Sequence, residues 1–189
     1  MTCIDWRILN CYLSSRWLKY IKIITILCIT LALTIALPAI AYGYSLDPSW
    51  KYNDPLTVSV YISSSVPYSS DVASGYDNWD SLPQVQTSRS YNANYTEAYF
   101  TYSSVSTGAI AETSLIGSSD WKQITIRPEF KTLTSIQRQE TVAHEMGHCW
   151  GLNDIYNSNL MDETLMRGIG FNNYAFPYQD DKNGIAALY

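Results

Sequence analysis

His144 and His148 are the only histidines in the 189-residue chain, and they lie four residues apart in Thr141 to Asp154, TVAHEMGHCWGLND. On an α-helix that spacing places two imidazoles on one face, close enough to hold a single ion. Glu145 brings a carboxylate to the same place. His-Glu-x-x-His on a helix is the pattern of a zinc site whose glutamate acts as general base toward water. Gly151 comes three residues after His148, where the helix must stop, and glycine takes the left-handed conformation that such a stop needs. Asp154 follows three residues later and can return a carboxylate oxygen as third ligand. Two imidazoles and one carboxylate leave the fourth tetrahedral position of zinc open, as catalysis on water requires. Two solvated histidines and an ordinary loop aspartate would leave Gly151 and Asp154 unexplained.

The elements that must position these groups can be read around them. Thr134 to Gln137 (TSIQ) predicts a capping box that opens the metal helix, and Ile136, Val142, Ala143, Met146 and Trp150 supply its buried side. Leu56 to Ser63 alternates and is rich in β-branched residues, so it predicts a strand. Val72, Tyr76 and Trp79 recur at helical spacing after the capping candidates Ser69, Ser70 and Asp71, with Pro83 ending that helix. Gln84 to Ser88, Glu97 to Ser103 and Gln123 to Arg127 predict further strands. Gly108 to Leu115 suits an edge strand, followed by a Gly-Ser-Ser-Asp loop. Residues 42–55, with Pro48 and Pro55, predict an irregular lead-in, and Tyr178 to Tyr189 a closing helix capped by Asp180 or Asp181.

Residues 1–41 have a different character. Arg7, Arg16, Lys19 and Lys22 precede the uncharged run Ile23 to Leu37, and Ala39-Ile40-Ala41 ends it with small residues two apart. This is the pattern of a secretory signal peptide cleaved after Ala41. An uncleaved membrane anchor is the alternative, for which Ile23 to Ala41 is barely long enough. Either reading exports the rest, to the extracellular side. Beyond Ala41 stand eight Lys and Arg against sixteen Asp and Glu, a formal charge of −8. That balance argues against nucleic acid and against anionic membrane surfaces as partners. Three of the four cysteines fall in the leader, so the exported part holds only Cys149 and relies on packing rather than disulfides. Cys149 fits a small buried hydrophobe on the metal helix.

HEMGHCWGLND resembles the metal segment of the metzincin clan of zinc endopeptidases, and within it the matrixin-like family, whose pattern is HExxHxxGxxH. Asp154 in the last place is similar to the third ligand of snapalysin. Met161, seven residues beyond Asp154, looks like the methionine of the Met-turn beneath the metal, with Met166 the second candidate. GAIAET looks like the substrate-binding edge strand, and QDDKNGIAALY like the closing helix. The resemblance implies an α+β fold: a twisted, mainly parallel five-stranded mixed sheet with an antiparallel edge strand, two long helices and a C-terminal helix. The catalytic domain would span residues 56–189.

The function implied is that of a secreted zinc metalloendopeptidase: Glu145 as general base, one catalytic Zn2+ on His144, His148 and Asp154, and Met161 in support. An extended protein or peptide substrate would lie along Ala109, Ile110, Ala111 and Glu112. A monomer is expected, touching a membrane only through an uncleaved leader, and no convincing calcium (Ca2+) loop is visible. The alternative is an inactive zinc-binding surface protein of the same fold. Glu145 argues against it, because a purely structural site needs no base and prefers four protein ligands.

Overall fold

A computed structural model describes residues 43–189. The leader, with its signal-peptide and anchor readings, lies outside the described residues. In chain order come β1 (Ser45–Leu46), β2 (Val58–Ile62), α1 (Ser69–Asp77), β3 (Thr87–Ser90), β4 (Ala98–Tyr102), β5 (Ala111–Ile116), β6 (Ser118–Ile126), α2 (Ser135–Cys149), β7 (Leu152–Asn153) and α3 (Gln179–Leu188). Five strands form a mixed sheet in the order β3-β2-β4-β6-β5. The first four run parallel, and β5 joins antiparallel at the edge. This is the α+β architecture expected above.

Alternation decides which face of the sheet is buried. Val58, Val60 and Ile62 of β2, Ala98 and Phe100 of β4, and Ile124 and Ile126 of β6 point inward into one hydrophobic core. On the opposite face Tyr61 and Tyr99, paired across β2 and β4, stack with centroids 5.3 Å apart. Helices α1 and α2 contribute Val72, Tyr76, Val142 and Met146 to the same core. They cross closely because Gly75 faces Val142, where an added Cβ would come within 2.6 Å. Arg138 of α2 pairs with Asp71 of α1 and also donates to the Leu133 carbonyl.

Several local expectations differ from the structure for definite reasons. The Gly-Ser-Ser-Asp segment is no loop beyond Gly117: β6 already starts at Ser118, and β5 turns directly into it with an irregularity at Leu115/Ile116. The strand expected at Gln84 to Ser88 forms later, at Thr87–Ser90: the Val85 N–H turns back to the Leu82 carbonyl, and Gln86 makes the first contacts toward β2, donating to the Pro55 carbonyl and accepting from the Val58 N–H. The first helix starts without a side-chain cap, from Tyr68 in the left-handed region, and its final turn at Asn78–Ser81 tightens to 3-10 geometry. The lead-in is partly regular: β1 pairs antiparallel with β7, directly after the metal helix.

Candidate metal centre

Helix α2 begins as its residues dictate. Thr134 accepts from the Gln137 N–H and the Gln137 side chain accepts from the Thr134 N–H at 3.1 Å, which completes the capping box. It ends at Trp150, and Gly151 turns the chain away at φ +96°, a conformation that favours glycine. Trp79, fully buried, donates from Nε1 to the Ala143 carbonyl at 2.8 Å and locks the helix against the end of α1. Gly147 lies between the two histidine turns, and the Met166 sulfur occupies the space that a Cβ would need.

Two backbone carbonyls orient the imidazoles. His144 Nδ1 lies 3.0 Å from the Leu165 carbonyl, and His148 Nδ1 lies 2.8 Å from that of Leu152. A carbonyl only accepts, so each Nδ1 carries the proton and each Nε2 turns its lone pair the other way. There Asp154 Oδ1 meets them, 3.1 Å from His144 Nε2 and 3.6 Å from His148 Nε2. The ring centroids are 4.8 Å apart and perpendicular. One ligand atom from each of the three residues falls within 4.8 Å of the others, and Asp154 Oδ1 is shut off from solvent without a well-formed hydrogen bond. Such a convergence suits a cation between the three atoms, either a metal ion or a proton on an imidazole. A donor set of two imidazole nitrogens and one carboxylate oxygen fits zinc.

The protonation of the metal-free cluster follows from the same contacts. Burial pulls His144 down, but the Asp154 carboxylate and the Glu145 charge outweigh it and lift the imidazole from 6.5 to about 9. The two imidazoles hold the Asp154 carboxyl far below its ordinary range, against the upward push of partial burial. Asp154 Oδ2 accepts from the Tyr156 hydroxyl at 3.0 Å, which leaves only Oδ1 for the histidines. The Tyr156 ring rests on Gly168, whose missing side chain makes room for it.

Glu145 is 6% exposed and lines the same cleft as the three ligands, a cavity of about 670 Å³. Its Oε2 accepts from the Thr113 hydroxyl at 2.6 Å, across from β5. Among the residues expected to meet substrate, Ala111 and Glu112 lie in β5, while Ala109 and Ile110 precede it, and all four line the cleft. Ile110 already uses its carbonyl to accept from the Arg127 N–H, and Glu112 pairs with the Arg127 guanidinium at 2.9 Å.

The methionine expected beneath the metal is placed differently. Met161 stands in a partly exposed 3-10 turn, whereas Met166 is 2% exposed and packs under the metal helix at Gly147. The turn before it is held from the C-terminal helix. Asp181, 1% exposed, accepts from the Leu165 N–H at 2.8 Å, from the Thr164 hydroxyl at 2.7 Å and from the Tyr178 N–H at 2.8 Å. Asp181 thus caps its own helix by reaching back and fixes the carbonyl that orients His144. Asp47 and Trp50, from the lead-in, also line the cleft. The cap by Asp181 was expected from sequence; its hold on the Leu165 turn, and the roles of Thr113 and Tyr156, were not. Only Thr113 had a usable signal, since alternation from Ala111 puts it on the helix-facing side of the strand.

No protein-family model matches the chain, and no curated protein sequence does. Solved structures do. One structure of myroilysin superposes with a TM-score of 0.55 at 15% identity, covering 76% of this chain and 97% of that one. A second myroilysin crystal structure gives 0.54 at 15% identity, covering 75% and 86%. What the chains share at this identity is the fold, which is metzincin-like.

Proposed function

We propose that this protein is an exported zinc-dependent endopeptidase. The observation that carries the reading is the convergence of His144 Nε2, His148 Nε2 and Asp154 Oδ1 on one point in an open cleft, with the Glu145 carboxylate beside them. Within the metzincin-like fold, the glycine bend and the aspartate ligand favour a matrixin-like chain with a snapalysin-like third ligand.

A zinc ion bound there would supply Lewis acidity, bringing a water's pKa to about 7 and countering charge that develops on the peptide carbonyl oxygen. The chain's own residues do the rest. Glu145 takes the proton from the attacking water and delivers it to the leaving amine. Thr113, donating to Glu145 Oε2, fixes the carboxylate's rotation so that the other oxygen is left for that work. The outer edge of β5 binds an extended peptide as an added strand, which gives affinity with little demand on sequence. Asp154 and the two carbonyls that hold the imidazoles keep the ligand atoms converged before any ion arrives, so little reorganisation accompanies binding.

Casein clearing tests the reading. The parent protein clears and retains zinc, while Glu145→Gln retains zinc and loses about 100- to 10,000-fold in rate. Equal clearing by the two proteins would remove Glu145 from the chemistry. Zinc in both without clearing by either would favour the non-catalytic alternative. Export follows from the leader reading, and N-terminal sequencing of secreted protein beginning at residue 42 would bear it out.

A further inference from the structure

Glu140 lies one turn before His144 on α2, is 3% exposed, lines the cleft and has no part in the chemistry above. Its carboxylate is taken up entirely by a distant loop. Oε1 accepts from the Asn172 N–H at 2.6 Å and Oε2 from the Tyr174 N–H at 3.3 Å. Asn173 between them sits at φ 54°, in the left-handed region that asparagine tolerates better than most residues. Backbone N–H groups turned inward around such a residue form a concave anion cradle, and here the anion is a side chain of the metal helix. Burial pushes the Glu140 carboxyl above its ordinary value, and the N–H groups of this cradle pull it partly back.

Asn172 passes the constraint on. Its Nδ2 donates to the Met161 carbonyl at 3.0 Å and the Thr164 carbonyl at 3.1 Å, and its Oδ1 accepts from Arg167. Between the Met166 turn and this anchor run Arg167, Gly168, Ile169, Gly170 and Phe171, all lining the cleft. Two glycines in five residues give this wall little stiffness of its own, and Ile169 is 67% exposed. Its near half is held by the Gly168 N–H donating to the Ile155 carbonyl and by Arg167 Nε donating to the Ile169 carbonyl, so the far half, Gly170 and Phe171, takes its position from the anchor at Asn172.

We propose that Glu140 is the positioning residue that fixes this wall of the cleft, and so sets which substrate side chain is accepted against it. The inference rests on the peptidase reading. Only an ionised carboxylate satisfies the cradle, since an amide in its place would turn an NH2 group toward the Asn172 or the Tyr174 N–H, donor against donor.

Hydrogen exchange and cleavage profiling on the same protein test it. In the parent, the Asn172 and Tyr174 amides should exchange at least about tenfold more slowly than those of exposed Ile169 and Gly170. In Glu140→Gln their protection should fall about tenfold or more, while Val142 to Met146 stay protected. On a peptide library, the variant should then lose selectivity at one position beside the cut, with KM raised for the parent's best peptides and kcat within about threefold. Unprotected Asn172 and Tyr174 amides in the parent would overturn the inference, as would an unchanged cleavage profile in a folded Glu140→Gln. Should that variant not fold, Asn172→Ala, which keeps both backbone bonds to Glu140 but frees the wall's far end, must relax the same position. No cleavage at all by the parent overturns the peptidase reading itself, and cleavage with an unaltered profile overturns this inference alone.

Discussion

At the scale of residues, the site is shaped by atoms that never touch an ion. The Leu165 and Leu152 carbonyls choose the tautomer of each imidazole, and the Tyr156 hydroxyl takes one oxygen of Asp154 so that the other faces the histidines. The convergence of His144, His148 and Asp154 was legible in the sequence because i, i+4 spacing on a helix and a glycine bend are local rules. Tyr156 was not, because its contact with Asp154 depends on Gly168, a residue that a bridge between Ile155 and Arg167 brings alongside. Outer partners of metal ligands are typically worth 10- to 100-fold in affinity, and Tyr156 is well exposed, so we expect the low end. Tyr156→Phe should weaken zinc binding about tenfold in competition with a chelator, at unchanged melting temperature of the metal-free protein. Equal affinity would show that the hydroxyl does not orient Asp154.

At the scale of elements, packing decides what pattern could not. Met161 and Met166 are both in plausible positions past Asp154, and spacing alone favoured the first. The structure buries the second, because Asp181 of α3 fixes the turn at Leu165 and Gly147 leaves room for the Met166 sulfur against the helix. Met166→Ala should therefore cost about 2–5 kcal/mol in denaturant unfolding, against less than about 1 kcal/mol for Met161→Ala. A larger loss at Met161 would reverse the placement. Gly147→Ala should also destabilise, by about 1–3 kcal/mol, since its methyl must displace Met166. A melting temperature equal to the parent's would mean that this contact is loose. Strands β2, β4 and α2 were readable because alternation and caps are written in the chain itself. The start of β6 was not, since its first residues pair only because β5 turns back on them at Gly117. The pairing of β1 with β7 likewise joins residues about a hundred positions apart, beyond the reach of any local pattern.

At the scale of the whole molecule, metal and fold are coupled through protons. Without metal, a second proton on His144, whose value of about 9 lies above the ordinary 6.5, lets Nε2 donate to the Asp154 carboxylate. That proton's contribution is fully present below about pH 6.5 and fades as pH rises toward 9. Between pH 6.5 and 8 the metal-free protein should lose about 2 kcal/mol of stability, while the zinc-loaded protein, whose imidazoles are occupied, stays level. A metal-free protein equally stable across that window would show that Asp154 does not hold His144 protonated. Among the described residues Cys149 is the one cysteine and is free, so the fold there rests on packing and polar contacts rather than on disulfides. X-ray absorption at the zinc edge of the purified protein probes that centre most directly. The geometry predicts one zinc per chain with two imidazole nitrogens at about 2.0–2.1 Å, oxygen ligands and no sulfur, and loss of the bound metal in Asp154→Ala. A sulfur shell, or a zinc environment unaltered by Asp154→Ala, would contradict it.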